Sequence, residues 1–377
     1  MSKNDLPDDC LWLIFNNFFK LEELIQLSEG KSLKNLIDIR LKKVKYLYIT
    51  REIPHLDYSR VWIERPETIQ LVRELLPNLR IVDIYSSWKS ANYGKAFDNN
   101  LKIKGLIGLT DVYKLDLENV EMVSMNYLLD FEKLFRPGQL KQIYCMLDFH
   151  MNNLSRLVKY FPNLKRLNLS FQGRKVRYNG PNLSNLKIFE ASVWDDTMYE
   201  TSGYLGICNT IHVMDFCPSL ESAHIHGQLD DEFTNMALKN YNLRDLVFST
   251  MFSLFDEYLT WPFLRTLLSK YPNLQHLAVR GGDTIEDSHV EELLELLPRI
   301  KLLDFRKSNG VTVKSADFLS KFCLKSNRSI KIYYDCEKEP DDWPKLDTPR
   351  ESIVCGFDFM KHCFYKTFYN LPELIDE

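Results

Sequence analysis

Apolar residues recur along most of the 377-residue chain at relative positions 1, 4 and 6. The copies read Val44-x-x-Leu47-x-Ile49, Leu79-x-x-Val82-x-Ile84, Val112-x-x-Leu115-x-Leu117, Leu140-x-x-Ile143, Leu164-x-x-Leu167-x-Leu169 and Leu186-x-x-Phe189-x-Ala191. They continue as Leu220-x-x-Ala223-x-Ile225, Leu243-x-x-Leu246-x-Phe248, Leu274-x-x-Leu277-x-Val279 and Ile300-x-x-Leu303-x-Phe305, with Ile330-x-Ile332-x-Tyr334 as a partial copy. Each predicts a short strand, because side chains two apart share a face. The copies begin 22 to 35 residues apart.

The lead-in to the strand repeats as well: Pro77-Asn78-Leu79, Pro162-Asn163-Leu164, Pro181-Asn182-Leu183, Pro218-Ser219-Leu220, Pro272-Asn273-Leu274 and Pro298-Arg299-Ile300. Segments 68–76, 154–161 and 290–297 carry apolar residues at i, i+3, i+4 and i+7, which predicts helices. The proline after each stops it by removing a donor and clashing with the preceding turn. Helix, proline turn and strand thus form one unit, which cannot bury its apolar face without neighbours. A doubly wound sheet also alternates helix and strand, but it does not repeat a Pro-Asn-Leu lead-in.

Residues 44 to about 334 resemble the cysteine-poor, ribonuclease-inhibitor-like leucine-rich repeats. The resemblance implies an α/β solenoid of about ten irregular repeats, with a parallel concave sheet and convex helices. The asparagine or cysteine usual after the strand in that class is mostly missing.

Residues 1–43 lack the strand pattern. Leu11, Ile14, Phe15 and Phe18 share a helical face, and Leu21, Leu24, Ile25 and Ser28 predict a second short helix. Asp8 or Asp9 caps the first after Pro7. A piece this small does not fold well alone. The run Leu6-Pro7-x-Asp9-x-Leu11-x-x-Ile14-Phe15, followed by Leu21, Leu24, Leu27 and Ser28, resembles an F-box. The resemblance implies a small all-α module that docks the Skp-type adaptor of a cullin–RING ubiquitin ligase through Leu6, Pro7, Leu11, Ile14, Phe15, Leu24 and Leu27. Where the family continues Val-Cys-Lys-x-Trp, this chain has Glu29-Gly30-Lys31-Ser32-Leu33. The smaller third-helix core costs about 2–5 kcal/mol if uncompensated.

An F-box followed by leucine-rich repeats implies the substrate-recognition subunit of a Skp–cullin–F-box ligase, divided as 1–43, 44–334 and a C-terminal cap or tail at 335–377. In that class the RING subunit and its conjugating enzyme do the chemistry, and the receptor contributes proximity. The alternative is a leucine-rich-repeat binding scaffold with a degenerate F-box, whose first 43 residues only cap the repeats.

Composition narrows the partners. Lys and Arg total 48 against 52 Asp and Glu, a net charge of −4, which disfavours nucleic acid as a partner. No apolar run approaches the ~18 residues of a membrane span, and the acidic start is unlike a signal peptide. Eight cysteines without a CxxC pair predict a reducing compartment, cytoplasmic or nuclear, with no disulfide framework. No phosphate loop, dinucleotide fingerprint, nucleophile elbow or zincin motif occurs, so neither an active site nor a cofactor is expected. His224 and His226 share a strand face, but no third metal ligand is evident, and they are expected as exposed recognition residues.

Substrate contacts are expected where strand side chains alternate away from the apolar core: Tyr48, Asp83, Tyr85, Asp116, Glu118, Asn168, His224, His226, Arg280, Asp304 and Arg306. Asp83, Asp116 and Glu118 make the early part acidic. His224, His226, Arg280 and Arg306 make the late part basic, suited to acidic or phosphorylated contacts. Long inserts at 85–105, 171–180, 194–204 and 251–261 hold aromatic and charged residues suited to recognition. The aromatic stretch from Ile353 to Leu374 is expected to cap the last repeat, a fold-back into the concave face being the lesser alternative.

Overall fold

A computed structural model describes residues 8–15, 18–30, 33–49, 59–84, 103–109, 117–172, 176–194, 210–227, 233–249, 260–281, 285–334 and 359–374. The fold is α/β with parallel strands. Two compact units divide the chain, Met1–Leu140 and Lys141–Ile375. The division falls at neither of the expected boundaries, 43/44 and 334/335. Side chains of the first helices bond into the first strands, and the C-terminal segment packs on the sheet of the second unit.

The first unit opens with helices α1 (Asp8–Phe15), α2 (Leu21–Ser28) and α3 (Lys34–Lys42). Phe15, Leu21, Leu24, Ile37 and Leu41 are buried, so α3 contributes Ile37 and Leu41 to the helical core. Strands β1 (Tyr46–Ile49), β2 (Arg60–Ile63), β3 (Ile81–Asp83), β4 (Gly105–Leu109) and β5 (Met122–Met125) pair in parallel in the order 2-1-3-4-5. A 3-10 turn (Pro66–Leu71) runs into α4 (Val72–Leu75), and α5 (Phe131–Leu134) follows β5.

Of the predicted copy at Val112–Leu117 only Leu117 is among the described residues. Leu117 opens a turn closed by the Val120 amide donating to its carbonyl, and the strand core is Val120, Val123 and Met125. This core has the 1-4-6 spacing at a copy that the sequence reading did not name; residues 110–116 lie outside the described residues. Strands β2 and β4 had no predicted counterpart. In β4 the sixth position is Gly108, at φ 76°, where the pairing with β5 shifts register. Glycine alone takes that conformation without strain.

In the second unit the strands are β6 (Gln142–Phe149), β7 (Arg166–Gln172), β8 (Ile188–Trp194), β9 (Ser222–His226), β10 (Asp245–Ser249), β11 (His276–Arg280), β12 (Leu302–Asp304) and β13 (Lys331–Tyr333). Each pairs in parallel with the next in chain order. Helices α6 (Met151–Tyr160), α7 (Ile211–Met214), α8 (Trp261–Leu268), α9 (His289–Leu296) and α10 (Val313–Ser326) lie between strands. The intervals after β7 and β9 carry no helix among the described residues, so the recurring unit is turn plus strand, with the helix optional.

The lead-in recurs because its backbone does one job repeatedly. The Lys141, Lys165, Lys187, Glu221, Arg244 and Gln275 carbonyls each accept two consecutive amides of the next strand's entry. Turn asparagines stitch the same edge: Asn185, Asn242 and Asn273 Nδ2 donate to the Pro162, Pro218 and Tyr241 carbonyls at 3.0, 2.8 and 2.8 Å. In the first unit Asn78 Nδ2 donates to the Lys42 carbonyl at 2.8 Å. Leu167, Leu169, Phe189, Ala191, Leu246 and Leu277 turn into a buried layer, to which α6 adds Leu154, Leu157 and Val158 at helical spacing.

Candidate interaction face

The opposite face of the second unit is organised in rows by strand register. Arg166, Ile188, Ser222, Asp245, His276 and Leu302 form one row. Asn168, Glu190, His224, Val247, Ala278 and Asp304 form the next, and Ser170, Ser192, His226, Ser249 and Arg280 a third. Polar and charged positions thus alternate with Ile188, Val247, Ala278 and Leu302. Those four apolar residues sit at positions 3 and 5 of their copies, where a water-facing strand would be polar.

The C-terminal segment covers this face. Residues 359–374 contain a π-helical turn (Met360–Phe364) and a 3-10 turn (Phe368–Asn370). Phe359, Met360, Cys363, Phe364, Phe368 and Leu371 form one buried cluster with Ile188, Val247, Ala278 and Leu302. The expected cap over the last repeat is therefore corrected: the segment folds back across the sheet, because the face offers an apolar track and the segment offers aromatic side chains to bury.

Two buried ionic clusters hold the segment. Arg166 meets Glu190 Oε2 from Nε at 3.0 Å and Nη2 at 2.7 Å, and donates to the Pro372 and Glu373 carbonyls at 2.7 and 2.9 Å. Asn168 Nδ2 and the Cys363 thiol also donate to Glu190, at 2.9 and 3.0 Å. Burial and then the Glu190 carboxylate push that thiol well above its usual range. In the second cluster Asp304 accepts from Arg280 at 2.6 Å and Arg306 at 2.9 Å. Arg280 also donates to the Phe364 and Lys366 carbonyls, and Arg306 to that of Tyr365 at 2.9 Å. Burial alone would raise the Asp304 carboxyl; the two guanidinium groups outweigh it and hold it below its usual value. The expected basic late part is corrected accordingly: Arg280 and Arg306 share the one Asp304 carboxylate and lie buried beneath the segment, not open to an outside ligand.

His224 and His226 are buried, at 0 and 6% exposure, not exposed as expected. Ser249 Oγ lies 2.9 Å from His226 Nδ1 and 3.4 Å from His224 Nε2. The Phe368 ring stacks on His226 at 5.6 Å and meets His224 edge-on at 5.5 Å. Burial lowers His226 to about 4, against a bond to Ser249 that raises it. Burial, then Arg280 and His226, lower His224 well below its ordinary value. His276 Nδ1 lies 2.6 Å from Asp245, which also accepts from Ser222 at 2.6 Å. His224 Nδ1, His226 Nε2 and His276 Nε2 are buried with no hydrogen-bond partner among the described residues.

In the first unit, Tyr48 and Asp83 are buried and adjacent in register, the Tyr48 hydroxyl accepting from Arg60 at 2.9 Å. Glu118 is exposed in a turn. Tyr85 and Asp116 lie outside the described residues, as do Leu6 and Pro7 and most of the inserts at 85–105, 194–204 and 251–261. Among the expected adaptor contacts, Phe15 and Leu24 are buried in the helical core at 3 and 0% exposure, so packing within the unit uses them. Leu11 and Leu27 are half-buried and Ile14 is exposed, as is Ile39 on α3.

The helices are fastened to the strands. Glu22 Oε1 accepts from the Glu64 and Arg65 amides at 3.0 and 2.9 Å and from Thr68 Oγ1 at 2.9 Å. Arg40 donates to the Phe18 and Arg60 carbonyls, and the Trp62 amide donates to the Phe19 carbonyl at 2.8 Å. Sequence reasoning missed Arg166, Glu190, Asp245 and His276. All four sit at positions 3 or 5 of their copies, and that position was the available signal.

Among the described residues no cluster of His, Cys, Asp and Glu can hold a metal ion, and no helix is long and apolar enough to cross a membrane. No family model matches the chain, and no curated protein matches it in sequence.

Proposed function

We propose that the chain is a non-catalytic receptor: α1–α3 dock an Skp-type adaptor, and the leucine-rich repeats hold a protein substrate for a cullin–RING ubiquitin ligase. The observation that carries this reading is the bonding of α2 and α3 into β2 and the turn after it through Glu22 and Arg40. A receptor that works by proximity must transmit position, and a handle fixed to the first strands does so. Ile14 and Ile39 provide outward apolar surface on that handle. The reading places the chain in the cytoplasm or nucleus, without a cofactor.

The same bonds favour a second reading, in which the helices only close the edge strand β2 of a binding scaffold. Pull-down of a purified Skp-type adaptor separates the two. Wild type should capture it, and Leu11→Asp/Ile14→Asp should lose it at least tenfold with unchanged circular dichroism. Failure of the wild type to capture adaptor would refute the ligase reading. Phe15 and Leu24 are unsuitable targets, because charge there would disrupt the core.

A further inference from the structure

We infer that residues 359–374 are an internal ligand of the β7–β12 face, and that a partner polypeptide of the same chemistry displaces them. The partner presents aromatic side chains four residues apart, an apolar side chain three further on, and main-chain carbonyls to the arginines. The inference deepens the receptor reading and rests on it, but not on adaptor binding.

The mode of capture carries it. Arg166, Arg280 and Arg306 together donate to five main-chain carbonyls of the segment. Every polypeptide has such oxygens, so these contacts position without selecting. Selection falls to the apolar sites. Phe364 lies beneath the Arg280 guanidinium at 5.7 Å, Phe368 sits between His224 and His226, and Leu371 joins the same cluster. These three residues define the spacing.

Two further observations mark the segment as replaceable. Glu190 and Asp304 are fully buried beneath it, and a permanent interface of similar volume is commonly at least as stable when built from apolar residues. Three histidine ring nitrogens are buried there without partners among the described residues. Each carries an uncompensated desolvation cost that a ligand bearing a suitable polar group relieves.

A fluorescent peptide with the sequence of residues 359–374 tests this on the full chain by anisotropy. A chain carrying Phe364→Ala/Phe368→Ala in its own segment should bind the peptide at least tenfold more tightly than wild type. In wild type the tethered copy competes at an effective concentration of roughly millimolar order. A peptide with the same two alanines should bind neither chain. Equal affinity of both chains, or no binding by a variant with native circular dichroism, overturns the proposal. Should the variant not fold, hydrogen exchange of the wild type decides. Millimolar peptide should speed exchange at 360–371 at least tenfold while β7–β11 stay protected, and unchanged exchange overturns it. A dimer in light scattering that the peptide dissociates would assign the segment to a second copy and overturn the internal arrangement. No adaptor is present in these assays, so failure of the ligase reading leaves their outcome unaffected.

Discussion

Arg166 and Glu190 lie diagonally across adjacent strands, two residues out of register, joined by two hydrogen bonds of 3.0 and 2.7 Å and both shut off from water. Removing one partner strands the other charge in a low-dielectric interior. Glu190→Leu should therefore cost about 3–5 kcal/mol, whereas Arg166→Met/Glu190→Leu should cost much less. Urea unfolding of the single and double variants measures the difference. A double-variant loss equal to the sum of the Glu190→Leu and Arg166→Met losses would show that the charges do not depend on each other.

Acid should loosen the C-terminal segment. His224 and His226 bind protons less readily when covered than when free, so the uncovered form holds more protons below the ordinary value of 6.5. Stability consequently rises with pH in that range. The covered state is fully favoured above about pH 6.5 and weakens as pH falls towards 4, where covered His226 itself protonates. His226 alone supplies roughly 3 kcal/mol at the acid limit. The charged or titratable groups set against the histidines are Arg280, which acts on His224, Glu190, level with His224 on β8, and Tyr369 of the segment, whose ring meets His226. Asp304 acts in a lower window: its depressed value gives stability above about 3.8 that is lost as pH drops through the folded value. Urea midpoints at pH 7.5, 6 and 5 should fall for wild type and flatten for His224→Gln/His226→Gln.

The turn asparagines should behave as independent stitches. Asn185→Ala, Asn242→Ala and Asn273→Ala each remove one side-chain bond to the neighbouring turn and should cost about 1 kcal/mol. Combined, they should add to within about 0.5 kcal/mol. Thermal melts of the singles and the triple variant check this; a triple no worse than one single would contradict it.

Glu22→Ala should free the first helices from the strands. One oxygen accepts three bonds, so two backbone amides and a threonine hydroxyl lose their acceptor at once. The expected cost is about 1–3 kcal/mol. Limited proteolysis should cut earlier within residues 18–43 while the second unit stays intact. An unchanged digestion pattern would show that the helices hold without this carboxylate.

The strands were legible because leucines at 1, 4 and 6 record a buried face directly. Leu167 and Leu169 carry that signal, and Gly108 hides it at β4. The far face was harder to read. An arginine at 166 or a glutamate at 190 looks the same in sequence whether it meets water or a partner. Only Ile188, Val247, Ala278 and Leu302, apolar where polarity was expected, announced a cover. Nothing local links them to Phe364 and Phe368, because the pairing spans intervals that spacing rules do not reach. The aromatic stretch from Ile353 to Leu374 reads first as a cap for the same reason: its aromatic content demands burial without naming the surface.

The two carbonyls of the C-terminal segment that accept from Arg166 lie 206 and 207 residues further along the chain. At about 5–20 residues per second, the ribosome delivers them roughly 10–40 s after Arg166 itself. The track itself is complete only at Leu302, about 60 residues before Phe364, so for roughly 3–12 s a nascent chain displays it bare. Chaperones or an early partner therefore meet this surface before its own cover has been made.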